Sequence, residues 1–244
     1  MARDTTAALV VIGNEILSGK VEDTNSTFLA QQLRGLGVTL RRMVVIPDEV
    51  EVIAAAIREL APTVDVLFTS GGVGPTHDDV TIEGIARGLG RRVVRHPAIE
   101  GILRKHFGER LNEAHLKLAE VVEGTELETT GKVSFPTFRV ENIYVLPGIP
   151  EIFREKVLAL RERFAADPFH LRIVYVREME SAIAAHLNQT LAEFPELLLG
   201  SYPKLNDPEY SVRITLESKD RDYVERALAL LLGLLQPDAV VRTE

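Results

Sequence analysis

Cysteine is absent from the 244 residues. That removes disulfide staples, thiolate metal sites and thiol nucleophiles together. Long apolar runs are missing too. None approaches the roughly 20 residues needed to cross a bilayer, and the longest, residues 227–235, has helical spacing. The opening MARDTTAALVVIG holds no apolar stretch ahead of a small-residue cleavage site, so the expectation is a cytoplasmic chain with no membrane partner. Basic charge is in short supply: 28 Lys and Arg against 36 Asp and Glu leave a formal net charge of −8. Proteins that grip nucleic acid carry a basic face, so nucleic acid is not an expected partner. A small phosphorylated ligand remains allowed, because a few backbone N–H groups can hold it locally. Histidine is sparse as well, with six residues and no HxH or HxxxH pair on a clear helix. No internal repeat or low-complexity tract is present.

Hydrophobic residues, at 45% of the chain, are enough to bury a substantial core. Residues 7–12 form an unbroken apolar run, the mark of a strand buried on both sheet faces. Residues 13–25, rich in Gly, Asn and Asp, read as a loop. Phe28, Leu29, Leu33 and Leu36 then recur at helical spacing. Residues 40–46 read as a strand. Asp48, with Glu51 three residues on, has the pattern of a capping box for the helix bearing Ile53, Ala56, Ile57 and Leu60. Residues 64–70 are another buried strand, and Ile82, Ile85, Ala86 and Leu89 another helix. Residues 131–139 read as peripheral extended structure, 142–146 as a strand and 149–166 as a helix. Such alternation predicts an α/β fold, a doubly wound and mostly parallel sheet. Asp167 and Pro168 suit a linker, dividing the chain into residues 1–167 and 168–244. The second part reads as a smaller α+β domain: strand 171–176, helix 180–194, extended 197–202, alternating strand 210–216, helix 220–235.

Three features carry candidate chemistry. The run Ser70-Gly71-Gly72-Val73-Gly74-Pro75-Thr76-His77-Asp78-Asp79 joins a buried strand to a helix. Ligands bind outside the carboxyl ends of strands in such sheets, and glycines there let the backbone approach an anion. The loop is neither a Walker A sequence nor a dinucleotide GxGxxG. A tight structural turn is the bland alternative. Carboxylates gather at the same strand ends: Glu15 and Asp23 after the first strand, Asp48 after the second, Asp78 and Asp79 in the glycine loop. Clustered beside phosphate, they suit a hard divalent cation that neutralises pyrophosphate and activates water. For Asp48, helix capping is an equal alternative. Gly148, within Leu146-Pro147-Gly148-Ile149-Pro150, permits close approach at a further strand-to-helix junction. Lys20 and Arg154 lie near these loops, where a solvated surface role is the simpler reading.

These segments resemble a known family. GNEILSG at 13–19, DTN at 23–25, PDE at 47–49 and GGVGPTHDDVT at 71–81 are similar to the molybdopterin-binding domain shared by MoaB, MogA and CinA proteins. VIPDEV at 45–50, His77 before the paired aspartates, Phe135-Pro136 and NIYVLPGIPE at 142–151 resemble more closely the molybdopterin-binding-like domain of eukaryotic FAD synthase. Gly200-Ser201-Tyr202-Pro203 extends the likeness into the second part. The resemblance implies the molybdopterin-binding fold. It implies a phosphorylated nucleotide or pterin held by Gly71, Gly72, Gly74, Pro75, Thr76, His77, Glu15 and Gly148. Asp48 and Asp79 would hold a divalent metal ion, and Asp48, Asp78 and Asp79 would carry catalysis. The implied activity is metal-dependent pyrophosphate hydrolysis of FAD, ADP-ribose or a similar dinucleotide. The alternative is a non-catalytic protein binding molybdopterin or a related phosphorylated ligand. Neither the amidohydrolase domain of CinA nor the FAD-synthesising domain lies within the 244 residues, so their activities are not expected. A homo-oligomer, a dimer in the simplest case, is expected.

Overall fold

The computed structural model describes residues 5–129 and 135–244. The chain divides into two compact units, Met1–Ala166 and Asp167–Glu244.

In the first unit, β1 (Thr6–Ile12) is buried along its whole length. The cause is visible in its side chains. Ala8, Val10 and Ile12 enter one core with Ile53, Ile57 and Ile85, while Ala7, Leu9 and Val11 enter a second core with Leu29, Leu33, Phe153 and Val157. A strand with apolar residues on both faces needs a helical layer on each. Those layers are α3 (Val50–Leu60) with α4 (Thr81–Leu89) on one face, and α2 (Thr24–Gly35) with α7 (Pro150–Leu160) on the other. A four-residue helix α1 (Asn14–Leu17) follows β1 directly, inside the stretch read from sequence as loop. Full burial of a side chain such as Phe153 or Phe68 contributes about 1.5–3 kcal/mol.

The sheet is completed by β2 (Thr39–Ile46), β3 (Val66–Ser70), β6 (Glu126–Glu128), β7 (Thr137–Val140) and β8 (Ile143–Leu146), in the order β2-β1-β3-β8-β7-β6. The four strands β2, β1, β3 and β8 run parallel, and β7 and β6 are antiparallel additions. Strand β7 is a paired interior strand rather than peripheral extended structure, because Phe138 pairs with Val145 and Val140 is buried in the core. Residues 131–134 of that expected extended segment lie outside the described residues. Between α4 and β6 the chain builds an insertion that the sequence pattern did not disclose. It comprises β4 (Val93–Arg95), α5 (Pro97–Phe107), α6 (Glu113–Lys117) and β5 (Glu120–Val122). β4 and β5 pair with each other in a separate antiparallel ribbon.

The connections fix where a ligand could sit. The chain leaves β1 for β2 on one side, then crosses to β3 on the other. The crevice between the carboxyl ends of β1 and β3 is therefore the switch point of the sheet. Gly13 and Gly71 stand at its two lips.

The second unit contains β9 (His170–Val176), α8 (Glu180–Glu193), β10 (Leu198–Pro203), β11 (Val212–Ser218), α9 (Arg221–Leu234) and β12 (Val240–Thr243). Its antiparallel sheet has the order β10-β11-β9-β12, the split βαβ arrangement of ferredoxin-like domains. Val212, Ile214 and Leu216 alternate inward on β11 and pack with Ile183, Leu187, Val224 and Leu231 of the helices. Strand β12 was not anticipated.

Candidate functional site

The glycine loop is shaped by contacts that only glycine allows. Gly71 has φ +102°, and a Cβ there would lie 2.2 Å from the Ile12 carbonyl oxygen. Its N–H donates to the Leu146 carbonyl at 3.2 Å, tying the loop to β8. Gly72 has φ +62°, and a Cβ would meet the Thr81 hydroxyl at 2.4 Å. The Thr81 N–H donates to the Gly72 carbonyl at 3.0 Å and its hydroxyl to the Gly71 carbonyl at 2.8 Å, so the loop's carbonyls are bound toward α4. Among the described residues, the N–H groups of Gly72, Val73 and Gly74 find no acceptor. Consecutive amides without acceptors are available to an anion.

The tip of the loop is stapled by its own side chains. Asp79 accepts from the Thr76 N–H at 2.8 Å and from the Thr76 hydroxyl. That hydroxyl also lies 2.6 Å from Asp78 Oδ1. Its hydrogen bond is the main reason the Asp78 carboxyl is held below the usual carboxylate range, with smaller help from its own backbone amide, His77 and Lys117. Pro75, Thr76, His77 and Asp78 are all exposed. The His77 ring is 3.9 Å from Asp78 and otherwise open to solvent.

Asp48 does not cap α3. The residue preceding that helix is Glu49, without a side-chain cap, and Asp48 Oδ2 accepts the Asn14 N–H at 2.7 Å instead. The carboxylate thus joins the turn after β2 to the turn after β1. Glu15, Asp48 and Asp78 line one cleft together with Asn14 and Lys20. Asp79 and His77 open onto a different cleft of about 530 Å³, walled by Gly72–Gly74 and by Lys117. Among the described residues no three His, Cys, Asp or Glu side chains converge as a metal-ligand group.

Two residues of the site were not among the candidates read from sequence, although Asn25 ends the DTN run at 23–25. Asn25, buried at the start of α2, donates to the Gly148 carbonyl at 2.9 Å and to the Ser70 hydroxyl at 3.2 Å. It fixes Gly148 beside the glycine loop, where a Cβ on Gly148 would sit 3.4 Å from the Gly71 Cα. Lys117, on α6 of the insertion, donates to the Thr76 carbonyl. Arg154 is placed over the Phe28 ring at 5.6 Å.

The chain is similar to several known proteins. A protein of Archaeoglobus fulgidus is 35% identical over 93% of this chain and 96% of its own. A protein of Caenorhabditis elegans named "Probable FAD synthase" is 29% identical over 96% of this chain, which spans 51% of that longer protein. The crystal structure of CinA from Thermoplasma acidophilum, titled as of unknown function, superposes with a TM-score of 0.61 at 28% identity, covering 66% of this chain and 98% of that one. Residues 168–244 match the domain described as "FAD synthase, middle domain". Residues 8–164 match the domain described as "Probable molybdopterin binding domain", and the chain belongs to that family.

Proposed function

We propose that the chain hydrolyses the pyrophosphate bond of a dinucleotide of the FAD or ADP-ribose class, with a divalent cation as cofactor. What supports this reading is that Asp48 and Asp78 line one cleft, while the Gly72, Val73 and Gly74 amides, without acceptors, open onto the neighbouring cleft across the same loop. In this reading the dinucleotide lies over the tip of the loop, with one phosphate on the amides and the other toward the carboxylates of the neighbouring cleft. Asp78, ionised at neutral pH like any exposed carboxylate, is held further below the usual range by the Thr76 hydroxyl. It therefore orients water and accepts its hydrogen bond.

The donor set fits a cation that arrives with its substrate. Hard ions such as Mg²⁺ are commonly held by one or two carboxylates plus phosphate oxygens rather than by a full protein cage. Asp48 and Asp78, with Glu15 beside them, would hold it. Bound there, it would neutralise phosphate charge and make water more acidic. Asp79, expected from sequence as the metal partner of Asp48, is given the task of shaping the loop through Thr76.

The family description supports a second reading, in which the site binds molybdopterin or a related phosphorylated pterin without turnover. A screen of the purified protein against FAD, ADP-ribose, NAD and CoA, with and without several divalent metals, separates the two. Release of AMP from FAD or ADP-ribose, abolished by chelator, is the expected result. Tight pterin binding with no hydrolysis under any metal selects the second reading.

A further inference from the structure

The cleft onto which the Gly72–Gly74 amides open has side chains that the proposed chemistry leaves unused. Its floor is apolar, built from Val73, Val80, Ile82, Val93, Leu118 and Phe138. Three carboxylates also line it, Asp79, Glu83 and Glu120, and among its described lining residues Lys117 is the one Lys or Arg side chain. An anion resting on the Gly72–Gly74 amides would share the cleft with those acids, and the Lys117 ammonium is placed to offset their charge.

Lys117 is held firmly for that task. It ends α6, whose N-terminus is closed by a reciprocal pair: Asn112 Oδ1 accepts the His115 N–H at 3.0 Å, and His115 Nδ1 accepts the Asn112 N–H at 3.2 Å. The His115 ring stacks on Phe107 of α5 at 3.8 Å. Leu116 and Ala119 are buried on either side of the lysine. An ammonium carries three N–H donors. One goes to the Thr76 carbonyl, which parks the charge against the loop and leaves the other two for a ligand.

We infer that Lys117 is a phosphate-binding residue of this cleft, reading a phosphate of a nucleoside phosphate that rests on the Gly72–Gly74 amides with its ring over the apolar floor. The inference rests on the proposed function and names the group that recognises its substrate. A second effect follows from the same contact. Because the lysine bridges the insertion to Thr76, and Thr76 binds both Asp78 and Asp79, phosphate capture and the carboxylate geometry are coupled through one residue.

The test is calorimetric titration of the full chain with AMP and with adenosine, for the parent, Lys117→Met and Lys117→Arg. The Met variant is expected to bind AMP about 10- to 100-fold more weakly, the range of one lost charge-assisted hydrogen bond, and adenosine as tightly as the parent does. The Arg variant should recover most of the AMP affinity. Unchanged circular dichroism and thermal midpoint show that the variants are folded. Equal AMP affinity in the parent and Lys117→Met, or an equal loss for AMP and adenosine, overturns the role of Lys117 while leaving the proposed function standing. A parent that binds neither compound, with or without divalent metal, overturns both.

Discussion

At the scale of single residues, the site depends on where a side chain is forbidden as much as on where one is needed. Gly71→Ala places a Cβ against the Ile12 backbone carbonyl at a positive φ, and neither can yield without moving β1 or the loop. A strained residue of this kind costs on the order of 1–3 kcal/mol before the clash is counted. The expected result is a loss of more than about 2 kcal/mol in urea unfolding, together with loss of nucleotide binding. Gly148→Ala meets only ordinary contact, so it should stay within about 1 kcal/mol of the parent; a larger loss would show that a Cβ there meets the Gly71 backbone more closely than 3.4 Å. The carboxylates divide in the same way. Asp48→Asn and Asp78→Asn should lower FAD or ADP-ribose hydrolysis by at least about 100-fold, the scale of losing one key electrostatic group, with AMP affinity unchanged in Asp48→Asn. Asp79→Asn should weaken AMP binding as well, since its Oδ2 accepts the Thr76 N–H. Indistinguishable kinetics and binding for all three variants would refute this division of labour.

At the scale of elements, the parallel core strands were legible because burial on both faces writes unbroken apolar runs such as residues 7–12. The glycine loop was legible because few sequences other than a strand-to-helix turn need three glycines within four residues. Of the insertion, β4 and β5, at three residues each, and α6, at five, were too short to show a period. Lys117 was hidden for the same reason: a lysine on a short polar helix looks like any solvated lysine. Asp48 looked like a helix cap because capping and site carboxylates use the same residue type at the same place.

Lys156 of α7 shows another element-scale feature that sequence conceals. It is buried and donates to the Phe135 and Pro136 carbonyls at 2.7 and 2.9 Å, pinning the entry to β7. Burial lowers its pKa from 10.5 to about 8. In the folded protein it therefore loses its proton before the unfolded chain does, and the unfolded state binds more protons between those values. Stability from this group rises with pH across that window and is lost again as pH falls through about 8. Urea unfolding of the parent and Lys156→Met from pH 7.5 to 10.5 isolates the effect. The parent should gain stability relative to the variant as pH rises, and a constant difference would remove the claim.

At the scale of the whole molecule, the two units keep separate cores. Val174, Ile214, Leu216 and Leu231 belong to a cluster drawn wholly from the second unit, while the clusters around β1 come wholly from the first. Separate cores allow separate cooperative unfolding. We therefore propose that the boundary between Ala166 and Asp167 is the cleavable junction of the chain. Limited proteolysis should cut first near Asp167 and Pro168 and leave two resistant fragments. Nucleotide is expected to protect only the larger, because ligand binding stabilises the unit that holds the site. Calorimetry should then resolve two transitions, with AMP raising one and leaving the other in place. A single transition, shifted as a whole by AMP, would show that the units unfold as one. The homodimer implied by the family resemblance remains a separate proposal, rejected by a monomeric mass in light scattering at micromolar concentration. If dimerisation stabilises the chain, the midpoint of whichever unit forms the interface should rise with protein concentration while the other stays fixed. The same calorimetric series thus identifies which unit carries the interface and which carries the ligand.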